Sequence, residues 1–198
     1  MDADATMVPV SALTWLGVPG DELAWTALGF LVDEDGFTIG RVHCSIGQVG
    51  WGFDEIHSDP SILGVPTITR PVAFPTTHSC GDIAADHIVY SVPNLDSAVD
   101  ALNAVLGSAP RRRFHPRGPQ GPEMAFYRVG EAFIEVVATG QEPAIIGLAL
   151  RTPDLDATVA LIRSCGGPVS DPKPAVQGGR IASVPSHHLR WGLAFMGI

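Results

Sequence analysis

The stretch 85-ADHIVYSVPNLDSAVDALNAVLG-107 reads as a strand, a tight Pro turn and an amphipathic helix. Ile88, Val89, Tyr90 and Val92 are residue types that suit a pleated, half-buried strand. Asn94 stands where a side chain can cap the first helical amides. Leu95, Ala98, Val99, Leu102, Val105 and Leu106 then recur with helical period and share one face. His87 is the odd residue. On an otherwise apolar strand it is either a hydrogen-bonded core histidine or a ligand-bearing one.

The pattern returns later in the chain. Superposing Pro93 on Pro153 sets PNLD-SAV against PDLD-ATV at an offset of 60 residues, within 146-IGLALRTPDLDATVALIRSCGG-167. Asp154 takes the capping position, and Leu155, Thr158, Val159 and Ile162 form the apolar face. After each helix come a glycine, a variable loop and further strand-like runs. These are 124-MAFYRV-129 and 132-AFIEVVA-138 in one copy, and 180-RIASV-184 and 191-WGLAFMG-197 in the other. The unit is β-α-β-β, with one more short strand expected in each variable loop. A looser copy stands in front: 11-SALTWLGVPGDELAWTALGF-30, followed by strand candidates 37-FTIGRVHCSIGQ-48 and 49-VGWGFDEI-56. Between it and residue 84, four prolines in 59-DPSILGVPTITRPVAFPTTHSCGD-82 argue for an extended linker on the surface.

Bulk properties bound the function. With 198 residues the chain suits one compact domain or two small ones. Twelve basic against 21 acidic residues give a formal charge of −9, which argues against a nucleic-acid binder that tracks phosphates. Only 111-RRR-113 is locally basic, read either as a solvated loop or as an anion-binding one. The acidic MDADATMVPV start does not read as a signal peptide, and no apolar run reaches the length of a membrane span. Cys44, Cys80 and Cys165 lack a CxxC spacing, so a cytoplasmic chain with reduced, buried thiols is expected.

These repeats, DHIVYSVPNLDSAVDALNAVLG, FYRVGEAFIEVVA and the closing GGRIASV…GLAFMG, resemble the vicinal oxygen chelate superfamily of glyoxalases, bleomycin-resistance proteins and extradiol dioxygenases. The resemblance implies an α+β fold in which βαβββ modules form curled mixed sheets around a cleft. It divides the chain into a divergent N-terminal βαβββ-like module (1–58), a Pro-rich linker (59–83) and glyoxalase-like modules at 84–140 and 141–198.

In that superfamily, divalent-metal ligands come from the first and last strands of each module. Carried over by position, they fall on His87 and Glu135 in the middle copy. In the final copy they fall on Gly147 and on Ala194 or Phe195, and in the front copy near Leu13 and Ser45. Only the middle module is equipped. A catalytic divalent ion (Zn, Fe, Ni or Mn) generally wants about three protein ligands. His115, His187 and His188 are the nearby candidates to join, and a homodimer pairing its middle modules about a two-fold axis would supply a His₂Glu₂ set.

Two leading readings follow. In one, the chain is a glyoxalase-like protein that binds a small organic molecule in a cleft holding His87 and Glu135, with a metal-assisted lyase, isomerase or dioxygenase step as the family expectation. In the other, it is a metal-free binding or sequestering protein of bleomycin-resistance type. His87 and Glu135 also suit general-base chemistry next to a carbonyl without any metal. Phe133, Glu135 and Val137 alternate onto one side of their strand, which faces either solvent or a polar cavity; the resemblance favours the cavity. Trp15, Trp25, Trp51 and Trp191 are candidate stacking walls, or simply core.

Overall fold

A computed structural model describes residues 11–71, 83–116, 118–176 and 178–197. The elements of the front part are β1 (Leu13–Val18), α1 (Glu22–Ala27), β2 (Phe37–Ile39), β3 (Val42–Ile46), β4 (Gly50–Phe53), a 3-10 turn (Pro60–Leu63) and β5 (Thr67–Thr69). The middle repeat contains β6 (Ala84–Val92), α2 (Leu95–Leu106), β7 (Arg112–Phe114), β8 (Met124–Val129) and β9 (Ala132–Ala138). The last repeat contains β10 (Ala144–Thr152), α3 (Leu155–Ser164), β11 (Lys173–Pro174), β12 (Arg180–Val184), α4 (Ser186–Leu189) and β13 (Gly192–Gly197). The α+β expectation holds.

Local chemistry sets these elements. Asn94 accepts a bond from the Ser97 amide and Asp154 from the Ala157 amide, so both repeats start their helix with the same side-chain cap. The six apolar residues of α2 and the four of α3 named above are the ones buried. The short strands expected in the variable loops are β7 and β11. Gly130 closes the β8–β9 hairpin and Gly40 the β2–β3 hairpin, each with a positive φ (68° and 57°) that a side chain would resist.

The two later repeats share one eight-stranded sheet in the order β11-β12-β13-β10-β6-β9-β8-β7. Its centre is the antiparallel β6–β10 pair, flanked by the parallel pairs β6–β9 and β10–β13. The front sheet runs β2-β3-β1-β4-β5. Its pairings are antiparallel, parallel, antiparallel and parallel, the same sequence as β8-β9-β6-β10-β13. It is therefore a shortened version of the whole larger sheet and not of one module alone. The segment Asp54–Pro66, with its single 3-10 turn, takes the place of a helix and two strands. Part of the stretch read as a surface linker thus belongs to the fold. Pro66 and Pro71 bracket β5, an edge strand where a missing amide is tolerated, and Leu63 is fully buried. Residues 72–82, including Cys80, lie outside the described residues.

One apolar cluster runs through both sheets. Trp51 of β4 meets Tyr90 of β6 edge-on with ring centroids 4.9 Å apart. The Tyr90 hydroxyl donates to the Leu63 carbonyl, and burial pushes this phenol up to about 12. The His57 amide donates to the Val105 carbonyl, and the Ser11 hydroxyl to that of Leu106. These bonds satisfy the end of α2 from the front unit. Trp25, Trp51 and Trp191 are core residues, not cleft walls. Cys44 is buried as expected, but Cys165 is exposed because it caps the end of α3 on the solvent side.

Candidate functional site

The first strand of each repeat carries a one-residue bulge. In the β6–β10 ladder Ala85 pairs with Leu150 while His87 pairs with Ala149, leaving Asp86 as the extra residue. In the same ladder Ile146 is the extra residue of β10, 60 positions further on. In the β1–β4 ladder Leu13 pairs with Phe53 and Trp15 with Gly52, leaving Thr14. A bulge breaks the two-residue alternation of a strand and re-aims a side chain. Here it turns Asp86 and His87 to the same side, while Ala85 and Ile88 on either side of them are both buried.

That side is a cleft of about 480 Å³. The middle repeat lines it with Asp86, His87, Arg112, Phe126, Phe133 and Glu135. The last repeat contributes Lys173, Ile181, Ser183 and Met196, with the exposed Val176 at the rim. Glu135 reaches the cleft because β9 alternates: Ile134 and Val136 are fully buried and Phe133, Glu135 and Val137 face the other way. Of the two orientations open to Glu135, the cavity is the one adopted.

His87 lies between two carboxylates. Its Nδ1 is 2.7 Å from Asp86 Oδ1, and its Nε2 is 3.8 Å from Glu135 Oε2. The first distance is a hydrogen bond; the second is too long for one. The bond from His87 holds the Asp86 carboxyl below the usual carboxylate range, against the opposing effect of partial burial, and Arg151 and Arg128 act in the same direction. The Arg111–Arg113 run is divided by strand alternation. Arg113 pairs outward with Asp96 (2.8 Å) and Glu123 (3.0 Å), whereas Arg112 lies over the Phe114 and Phe126 rings and lines the cleft. Arg128 lies over Phe133 with its guanidinium carbon 4.8 Å from the ring centroid.

The other expected ligands are elsewhere. His115 Nδ1 sits 2.9 Å from the Gly121 carbonyl on an exposed loop, and His188 Nε2 is 2.9 Å from the Ala24 carbonyl, joining α4 to α1. Neither His115, His187 nor His188 lines the cleft. Gly147 pairs with Gly192, and Ala194 with Ala149, as His87 pairs with Phe133 and Glu135 with Val89. The last-strand equivalent of Glu135 is therefore Ala194 and not Phe195, which is fully buried. In the front sheet the pair is Trp15 and Ser45, joined by a 3.0 Å bond from the indole N–H; by register the first-strand position is Trp15, two residues beyond Leu13.

These donors do not fit a resident divalent ion. His87 Nε2 and Glu135 Oε2 are two, the nearest Asp86 oxygen is engaged by Nδ1, and the equivalent positions in the last repeat carry no donor atom. Among the described residues no set of three or more His, Cys, Asp or Glu side chains is arranged to hold a metal. The two-fold pairing that would supply His₂Glu₂ also meets an obstacle. The β6 edge that a second copy would need is already paired with β10 of the same chain.

Nothing in the sequence marks Asp86, Arg112, Phe126, Phe133 or Lys173 as a group. The available signal was the Asp-His doublet itself: two polar neighbours on a strand share a face only across a bulge.

Two β-α-β-β units sharing one sheet around a cleft, with His87 and Glu135 on the first and last strands of the middle one, define the class. Residues 86–183 match the family model of the Glyoxalase/Bleomycin resistance protein/Dioxygenase superfamily, and the chain belongs to that superfamily through these residues. Among solved structures it is similar to methylmalonyl-CoA epimerase from Mycobacterium tuberculosis, at 22% identity over 57% of this chain and 86% of that one, with a TM-score of 0.47. A hypothetical protein from Bacillus halodurans C-125 shows 17% identity over 59% of this chain and 94% of its own, with a TM-score of 0.49. A variant of the Streptomyces coelicolor methylmalonyl-CoA epimerase in complex with 2-nitronate-propionyl-CoA shows 20% identity over 57% of this chain and 92% of its own, with a TM-score of 0.47. No curated protein sequence matches the chain. No helix among the described residues is long and apolar enough to cross a membrane.

Proposed function

We propose that this protein binds a small anionic organic molecule in the cleft of its eight-stranded sheet, without a resident metal ion. The observation that carries the reading is the cleft's division of labour. His87 and Glu135 form a polar floor, Phe126, Phe133, Ile181 and Met196 form apolar walls, and Arg112 and Lys173 bring positive charge from the two repeats. An apolar pocket with a few convergent polar groups is how small-molecule sites are usually built. Arg112 and Lys173 balance the Asp86 and Glu135 carboxylates that share the cleft, and in a chain of net charge −9 they are the groups there that an anion can pair with. The volume suits a ligand of modest size, and the donor set favours the metal-free branch over the superfamily's metal-assisted lyase, isomerase and dioxygenase steps. The exposed thiol of Cys165 is compatible with the reducing conditions of a cytoplasm.

The test is calorimetric titration and thermal shift with small carboxylates, phosphate monoesters and their neutral analogues. Anions should bind with ordinary 1:1 stoichiometry, and Arg112→Ala with Lys173→Ala should remove the preference for charge. Equal binding of the neutral analogues, or anion binding that survives both substitutions, would contradict the reading.

A further inference from the structure

We propose that Asp86 is a positioning residue that fixes His87 in its Nδ1–H tautomer, and that the bare Nε2 works with Glu135 as a metal-free pair moving a proton along one face of a bound carbonyl compound. The proposal rests on the cleft being the ligand site. It adds the chemistry performed there and gives a role to a residue that the repeat comparison did not single out.

The tautomer follows from the contacts. An ionised carboxylate only accepts hydrogen bonds, so the 2.7 Å contact places the imidazole hydrogen on Nδ1. With Nδ1 occupied, the Nε2 lone pair points into the cleft, and the nearest carboxylate oxygen, on Glu135, stops 3.8 Å short. That gap leaves the lone pair unspent. An acid or base fixed in the right tautomer by a second carboxylate is the arrangement general-base catalysis requires.

The strands fix the direction. His87 and Glu135 project from neighbouring strands, on the same side of the sheet, so a ligand in the cleft meets both from one face. The opposite wall, with Ile181, Ser183 and Met196, offers neither a carboxylate nor an imidazole. Inverting a carbon centre needs groups on both faces. Enolisation and proton shifts between neighbouring atoms need only one.

In the step itself, Nε2 takes a proton from the carbon next to the carbonyl. The C–H electron pair becomes the C=C π bond and the carbonyl π pair moves onto oxygen. The imidazolium exchanges its proton with solvent, and a proton then returns, directly or through Glu135 Oε2, to the same carbon or to another atom on that face. Atoms and electrons balance within the ligand, with no oxidant, reductant or co-reactant. Arg112 and Lys173 hold the ligand's charge near the developing enolate.

The experiment uses the full chain labelled with ¹⁵N. Long-range ¹H–¹⁵N correlation NMR reads the His87 tautomer directly. Nδ1–H is expected in the native protein and in Glu135→Gln, and its loss in Asp86→Ala. An Nε2–H tautomer in the native protein would overturn the proposal whatever ligand the cleft takes. Titration with zinc sulfate after chelation should leave the His87 signals in place; a stoichiometric shift would overturn the metal-free claim. Deuterium wash-in from D₂O is then measured on pyruvate, 2-oxobutyrate and 2-oxoglutarate. A probe that binds should exchange, with losses on the order of 100-fold in His87→Ala and Glu135→Gln. Asp86→Ala should lower kcat at nearly unchanged KM. A probe that binds without exchanging counts against the proposal. If none of the three binds, it is the anionic-ligand reading that suffers, while the NMR and zinc results still judge the pair.

Discussion

The missing half of the ligand set can be put back. Gly147 and Ala194 stand to β10 and β13 as His87 and Glu135 stand to β6 and β9, so Gly147→His combined with Ala194→Glu should assemble four donors in one chain. The two substitutions differ in cost. Ala194 is half-buried and, two residues before the cleft-lining Met196, lies on the same side of β13. A Cβ on Gly147 would lie 3.0 Å from the Gly192 carbonyl oxygen and 3.4 Å from its Cα, so the β10–β13 pair must yield by a few tenths of an ångström. Overpacking of that kind costs about 1–3 kcal/mol. The return comes on adding metal. Zinc at 100 times its dissociation constant stabilises the folded state by about 2.7 kcal/mol. In a chain of this length each kcal/mol moves the midpoint by roughly 2–4 °C, so the double variant should gain roughly 5–11 °C. Scanning calorimetry of chelated protein, with and without zinc, measures this. The native protein should shift by less than about 1 °C, since two donors hold an ion weakly. A native protein stabilised as much as the double variant would refute the donor-count argument. A folded double variant with no response would refute the positional equivalence of the two repeats.

Other consequences are simpler to check. Because the Asp86 carboxyl is lowered from its ordinary 3.8, chiefly by the bond from His87, its stabilising effect is complete above that value and fades as pH falls through the lower folded one. Asp86→Asn should therefore flatten the acid limb of stability below about pH 4 in urea titrations, and an unchanged limb would count against the bond. Leu63→Ala removes a fully buried side chain at the junction of the two sheets and should cost about 2–5 kcal/mol, with the far-UV and tryptophan signals still melting together. In native protein a thiol reagent should label Cys165 and spare Cys44, whose buried thiol is pushed well above its ordinary pKa; peptide mass spectrometry assigns the site.

What the sequence disclosed depends on how each feature is encoded. The helices α2 and α3 were legible to the residue because a buried face repeats every 3.6 positions and its caps are specific side chains. The superfamily resemblance pointed to His87 and Glu135, and the 60-residue offset then pointed to the vacancies at Gly147 and at Ala194 or Phe195. Bulges were invisible, since an extra residue is defined only against the partner strand: Asp86 reads as an ordinary strand position until β10 is laid beside it. β5 escaped notice because prolines forbid a central strand but not an edge one. Arg112 looked like its neighbours Arg111 and Arg113, and only the pairing of β7 with β8 sends it to the cleft. Tryptophan carries no mark of whether it lines a cavity or fills a core, and three of the four fill the core.

The bulge at Asp86 also determines how the strands can be threaded during folding. Strands with strict alternation can slide by two residues and keep their apolar side inward. β6 cannot. On either side of the doublet its inward residues, Ala85 and Ile88, are out of step, matched to Leu150 and Leu148 across the ladder. A slip of one or two residues would carry Asp86 or His87 into the place of one of them and bury a carboxylate or an imidazole among aliphatic side chains, at a cost of several kcal/mol. The charged doublet thus works as a ratchet tooth at the middle of the largest sheet. It rejects the nearest misthreaded alignments of the two repeats before any ligand arrives.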